Sequence, residues 1–158
     1  IDEAAEYVKR TYKSYRSSRG TRLHPSSPFA YQPGGRAEYS TAAAGLLSLQ
    51  VCGYYEDPTV KGAADWLLSR RVKDARTWFF YGTYYYAQGM YQRGGRHAEE
   101  ARRQVRDVLL ERQEKRGEHA GSWRGRHGQE QSAGRVYATS LAMLSLSVKY
   151  HYLPMYQR

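Results

Sequence analysis

Two arginines and a set of aromatic side chains are the residues whose types and spacing suit chemistry on a ligand. Arg36 and Arg135 each follow a glycine and stand just ahead of a nearly uncharged stretch. Tyr39, Trp78, Tyr81, Tyr84, Tyr85 and Tyr137 gather near the starts of such stretches. Aromatic faces hold apolar chains and cations, and a guanidinium fork meets phosphate oxygens in pairs, so this set suits an apolar molecule with an anionic head. The competing reading pairs the arginines with Glu38, Glu130 or helix ends and packs the tyrosines between helices. Trp123 is the only large apolar residue of a glycine-rich stretch and joins the candidate ligand-binding set.

Proton and metal chemistry find less support. Asp57, Asp65, Asp74 and Asp107 are isolated, so no paired carboxylates offer general acid and base together. Cys52 precedes Gly53 and reads as a small core residue. The histidines, His24, His97, His119, His127 and His151, lie in loops or near helix ends. His119 and His127 share one loop, but two ligands without a third do not make a zinc site. The sequence therefore names no catalytic residue, no metal ligand and no cofactor.

Composition narrows the class. A chain of 158 residues suits one domain with one core. The net charge is +10, which raises nucleic acid, anionic lipid or acidic protein as partners. The basic residues occur singly or in pairs, such as Arg70-Arg71 and Arg102-Arg103, and no groove-reading or base-stacking signature accompanies them. Nucleic acid is thus disfavoured. One cysteine excludes an internal disulfide, and no apolar run approaches the roughly twenty residues of a membrane span. Ile1 in place of an initiator methionine marks a boundary, with any leader ahead of it out of view.

The elements that must position these residues read as six helices. Trp78 to Gly95 is the centre: eight aromatic residues, no charge before Arg93, and a Gly-Gly pair where a left-handed C-cap belongs. Helices are expected over 2–15, 36–52, 57–71, 78–93, 97–113 and 135–150. Asp57-Pro58 supplies an N-cap and a first-turn proline for the third. Long loops are expected from Ser17 to Gly35 and from Glu114 to Gly134, the latter rich in glycine. The helices at 2–15, 57–71 and 97–113 are amphipathic, whereas those at 36–52, 78–93 and 135–150 are nearly uncharged, which predicts an outer and an inner layer.

Internal similarity accompanies the alternation. Gly45-Leu-Leu-Ser-Leu matches Ala142-Met-Leu-Ser-Leu, and Trp66-Leu67-Leu68 echoes Val108-Leu109-Leu110, as helical-hairpin repeats would. Leu109-Leu110-x-x-Gln113 leads to Gly121-Ser122-Trp123, and Gly-Gly-Arg-x-Tyr precedes an inner helix. With the Tyr81-Gly-Thr-Tyr-Tyr-Tyr run and the Tyr152-Leu-Pro-Met-Tyr ending, these motifs resemble the terpenoid-cyclase and protein-prenyltransferase superfamily, in particular its squalene-cyclase-like repeat proteins. The resemblance spans nearly the whole chain, although only one repeat motif is near complete.

The resemblance implies an all-α fold, an α/α toroid whose inner helices surround a cavity. Three hairpins would make a partial toroid over 1–158, the later part of a longer chain, closed by N-terminal repeats or by a second copy. It implies that Arg36, Tyr39, Trp78, Tyr81, Tyr85, Trp123, Arg135 and Tyr137 bind an isoprenoid-like small molecule. The family's Asp-x-Asp-Asp acid and Asp-x-Cys zinc motifs are absent from these residues. The expectation is a non-catalytic module for an apolar ligand or a protein partner; the alternative is a cyclase or prenyltransferase whose catalytic residues lie in further repeats.

Overall fold

The structure is a computed structural model and describes residues 1–17, 20–23, 25–70, 72 and 77–150. The expectations for His24, Asp74, His151 and the 151–158 tail concern residues outside that set. Six helices carry an all-α framework: α1 (Asp2–Arg10), α2 (Tyr39–Val51), α3 (Pro58–Leu68), α4 (Phe79–Arg93), α5 (Gly95–Arg112) and α6 (Gly128–Ser147), followed by a 3-10 turn at Val148–Tyr150.

Local chemistry explains most boundaries. α1 carries Asp2 and Glu3 in its first turn and Lys9 and Arg10 in its last, as a helix dipole favours. It ends sooner than its periodicity predicts, because the Thr11 hydroxyl donates to the Val8 carbonyl at 2.7 Å and Tyr12 is drawn into a bridge with Phe29. The chain beyond forms a ribbon, β1 (Ser14–Ser17) antiparallel to β2 (Gly20–Leu23), where the sequence predicts the last residues of the first helix and then a loop from Ser17. α3 starts as expected: the Thr59 N–H donates to the Asp57 carboxylate at 2.9 Å and Pro58 occupies the first turn. α4 ends at Gly94 (φ 77°), and α5 follows at once from Gly95 (φ 48°). α6 begins earlier than predicted but breaks at Gly134 (φ 84°), so its first six residues form a separate turn ahead of the long helix.

α4 is the hub. It packs against α2, α5 and α6 and touches α3, with α2 and α6 on either side of it. α3 packs on α2, α5 packs on α4, and α3 meets α5. α2 buries Ala42, Ala43, Leu46, Leu47 and Leu49 around most of its circumference, whereas α5 buries only Ala101, Val105, Val108 and Leu109. Close approach needs small residues. At Gly45 a Cβ would lie 2.7 Å from the Phe29 ring, and at Gly89 one would lie 3.1 Å from Leu46. The Gln50 amide crosses the same α2–α4 contact and donates to the Gly89 carbonyl at 2.8 Å.

Candidate functional site

The start of α4 is built unusually. Trp78, its N-cap residue, sits in left-handed backbone (φ 51°, ψ 46°) and offers no side-chain cap. The cap comes from Glu130 instead: the N–H groups of Phe79, Phe80 and Tyr81 donate to its carboxylate at 2.9, 2.8 and 3.2 Å. A buried carboxylate is thus satisfied by three orphan donors and by the positive end of the helix.

From this fixed end an aromatic row runs along α4. The Trp78 and Tyr81 rings are 6.2 Å apart, Tyr81 and Tyr85 are 4.6 Å apart, and Tyr84 and Tyr85 are 5.4 Å apart. These spacings suit edge and offset ring contacts. Burial, followed by the neighbouring Tyr85 and then Tyr137, pushes the Tyr81 hydroxyl up to about 12. Burial, then Glu130 and Tyr85, also raises Tyr137. Tyr81 and Tyr85 of α4 and Tyr137 of α6 are therefore neighbours.

Trp78 and Tyr81 also face a mostly apolar groove of about 450 Å3 between α1, the 27–31 segment and α2. Phe29, Tyr7 and Tyr31 complete its aromatic wall, and Ser40, Thr41 and Ser48 give it a few hydroxyls. An apolar concavity with sparse polar groups is what small-molecule sites commonly present.

The predicted residues thus divide. Trp78, Tyr81, Tyr85 and Tyr137 come together. Tyr39 lies elsewhere, its ring 5.5 Å from Tyr86 and its hydroxyl buried without a hydrogen-bond partner; burial, then Tyr86, pushes that hydroxyl well above its ordinary range. Trp123 is placed in the core rather than at a cavity: it is 3 % exposed, and its indole N–H donates to the Leu109 carbonyl at 2.7 Å. Gln113 donates to the Gly121 carbonyl at 2.8 Å, so the Gln113…Gly121-Ser122-Trp123 motif fastens a loop to the end of α5. Arg36 is almost wholly solvated beside Glu38, at 3.8 Å. Arg135 turns towards Glu114 and Ser122, at 3.7 and 3.2 Å, and the two arginines do not converge on the tyrosines.

Two further sequence readings change. Cys52 is exposed at the end of α2, not a core residue, because the helix presents that last turn to solvent. Glu130 serves backbone N–H groups, not an arginine. Sequence reasoning also overlooks Phe29 and Tyr31, which sit in a Pro- and Gly-rich stretch whose only signal is two aromatics among turn residues. Among the described residues no three His, Cys, Asp or Glu lie together as a metal site, and no helix is long and apolar enough to cross a membrane.

No protein-family model matches this chain, and no curated protein or solved structure is similar to it by the same comparisons.

Proposed function

We propose that this chain is a partial α/α toroid of terpenoid-cyclase type, a non-catalytic module that binds an apolar, isoprenoid-like ligand along the start of α4. The alternation of inner helices α2, α4 and α6 with outer helices α1, α3 and α5 supports the toroid reading. One observation carries the ligand reading. Trp78 and Tyr81 belong at once to the aromatic row of α4 and to the wall of the 450 Å3 groove, so an apolar chain in the groove gains a stacked, preformed surface.

A second reading has its own observation. Along α6, Val136 is 82 % exposed and Met143 60 %, an apolar edge on the last inner helix that a further repeat or a second copy would cover. Native mass spectrometry of the chain with geranylgeraniol separates the two. The ligand reading expects a one-to-one adduct that weakens about tenfold in a Y81A/Y85A variant, the loss expected for two aromatic contacts. A dimer without an adduct would support the protein-partner reading, and an adduct indifferent to Y81A/Y85A would overturn the assignment of the row.

A further inference from the structure

We propose that the groove bounded by α4, α5 and the last turn of α6 binds a free long-chain carboxylate, its hydrocarbon chain on the apolar floor and its head group on Arg102. The site shares no residue with the aromatic groove beside Trp78, so it stands or falls independently of that reading.

The groove holds about 570 Å3, inside the range of about 300–1,000 Å3 that small-molecule sites occupy. Its floor is apolar: Val105 and Val148 lie at the bottom, with Ala98 and Leu146 beside them, and Leu110 stands at the mouth, 43 % exposed. The Ser145 hydroxyl next to this floor already donates to the Leu141 carbonyl at 2.7 Å, so it makes no polar demand on a hydrocarbon chain. The walls are held by the fold. α4 packs on both α5 and α6, those two helices touch one another, and the 3-10 turn at Val148–Tyr150 rests on α4 and α6.

Charge is confined to the rim, where Glu99, Arg102, Arg106 and Lys149 stand. Arg106 is matched already, its Nε and Nη2 donating to the Asp107 carboxylate at 2.9 and 2.7 Å. Lys149 lies 4.5 Å from the centre of the Tyr150 ring and has no carboxylate partner among the described residues. Arg102 makes no ion pair, hydrogen bond or ring contact among them. Two unmatched cations, Arg102 and Lys149, thus face one carboxylate, Glu99, and the remaining single positive charge complements a monoanion. Beyond the rim lie Arg96, Arg103 and Glu100, of which Arg103 and Glu100 pair with each other at 2.6 Å. A guanidinium fork donates to both oxygens of a carboxylate, and an exposed one keeps that head in contact with water while the chain is buried. An apolar floor with one open fork at its edge therefore selects an amphiphile with a small, singly charged head.

Calorimetric titration of the full chain with sodium octanoate, decanoate and dodecanoate, each below its micelle concentration, tests this. The expected result is one saturable site whose affinity rises about two- to fourfold per added methylene, as burial of the chain requires. R102A should weaken dodecanoate about tenfold, the loss expected for one charge-assisted contact, and keep the dependence on chain length. A98L, which fills the floor without changing charge, should weaken dodecanoate about tenfold as well and flatten that dependence. E99Q should tighten binding several-fold. R103A, beside the rim, and Y31A, on the wall of the other groove, should leave the affinity unchanged. Arg102 and Tyr31 are exposed, so their truncation should leave the thermal unfolding curve in place. Absence of saturable heat overturns the site. Affinity indifferent to chain length, or equal weakening by R102A and R103A, overturns it in favour of diffuse surface charge. Weakening by Y31A and not by A98L moves the chain to the groove beside Trp78. Binding to phosphatidylglycerol vesicles without saturable binding of dodecanoate assigns the face to a membrane surface and overturns the free-ligand site.

Discussion

Glu130 holds the start of α4 by accepting the Phe80 N–H at 2.8 Å, across 50 residues of sequence. Glu130 is 5 % exposed and its carboxylate takes the N–H groups of Phe79 and Tyr81 as well, so α6 caps a helix it does not adjoin in the chain. A hydrogen bond to a charged group contributes about 1.5–3 kcal/mol, and orphaned buried donors cost a comparable amount. E130A should therefore lower stability by about 3–4 kcal/mol, and E130Q, which keeps one acceptor oxygen, by about 1–2 kcal/mol. Urea denaturation followed by helix signal measures both. An E130A midpoint equal to that of the unaltered chain would show that water caps α4 as well as the carboxylate does.

That cap marks where the sequence stops being readable. Asp57-Pro58 and Gly94-Gly95 place helix ends correctly because their signals are local: a side chain bonding its own backbone, and a backbone free to turn left-handed. The uncharged character of α2 and α4 foretells burial on several sides, which excludes charge, whereas the equally uncharged α6 buries only Ala138, Ala142 and Ser145 beyond its break. Glu130 sits in a glycine-rich stretch that carries no helical pattern, and no local rule connects it to Phe80. No sequence signal marks Gly62 either, yet the Tyr12 hydroxyl occupies the place its Cβ would take. Arg112 falls on the apolar face of α5 by spacing, and the structure keeps it there through the Phe79 ring. Periodicity gives that face; only the fold gives the charge a purpose.

The tyrosines predict the alkaline limb of stability. Tyr81 is pushed up to about 12 by burial first and by Tyr85 next, and Tyr12 to about 12, chiefly by burial. Burial also raises Tyr39 and Tyr86. The charged form is the deprotonated one, and folding disfavours it. Tyr81 and Tyr12 thus contribute stability that is fully present below the ordinary value of 10 and is lost as pH rises through about 12. Ultraviolet titration of tyrosinate should show an early set of hydroxyls and a late set that ionises together with loss of helix. Y81F should flatten the fall in stability across that window. A single early transition with the helices intact would contradict the burial of these hydroxyls.

Trp78 sets conformational strain against a binding surface. Among the described residues it is the only non-glycine with positive φ, and a left-handed backbone costs a bulky residue about 1–2 kcal/mol. The indole is 40 % exposed, so its remaining contacts in the groove return only part of that cost. Glycine adopts the same backbone freely, whereas alanine keeps the strain and loses the indole. W78G should accordingly be more stable than W78A by about 1 kcal/mol, the reverse of the usual ranking. Both variants remove the ring that joins the α4 row to the groove, so both should lose affinity for geranylgeraniol to a similar extent. Denaturation midpoints and adduct yields for the two variants decide the matter. W78A equal to or above W78G in stability would mean that the backbone here is relaxed. Equal stability loss with retained binding would mean that the indole packs and does not bind. The left-handed Trp78 backbone is held in place from the other side of the joint, because Glu130 fixes the first turn of α4 through three N–H groups.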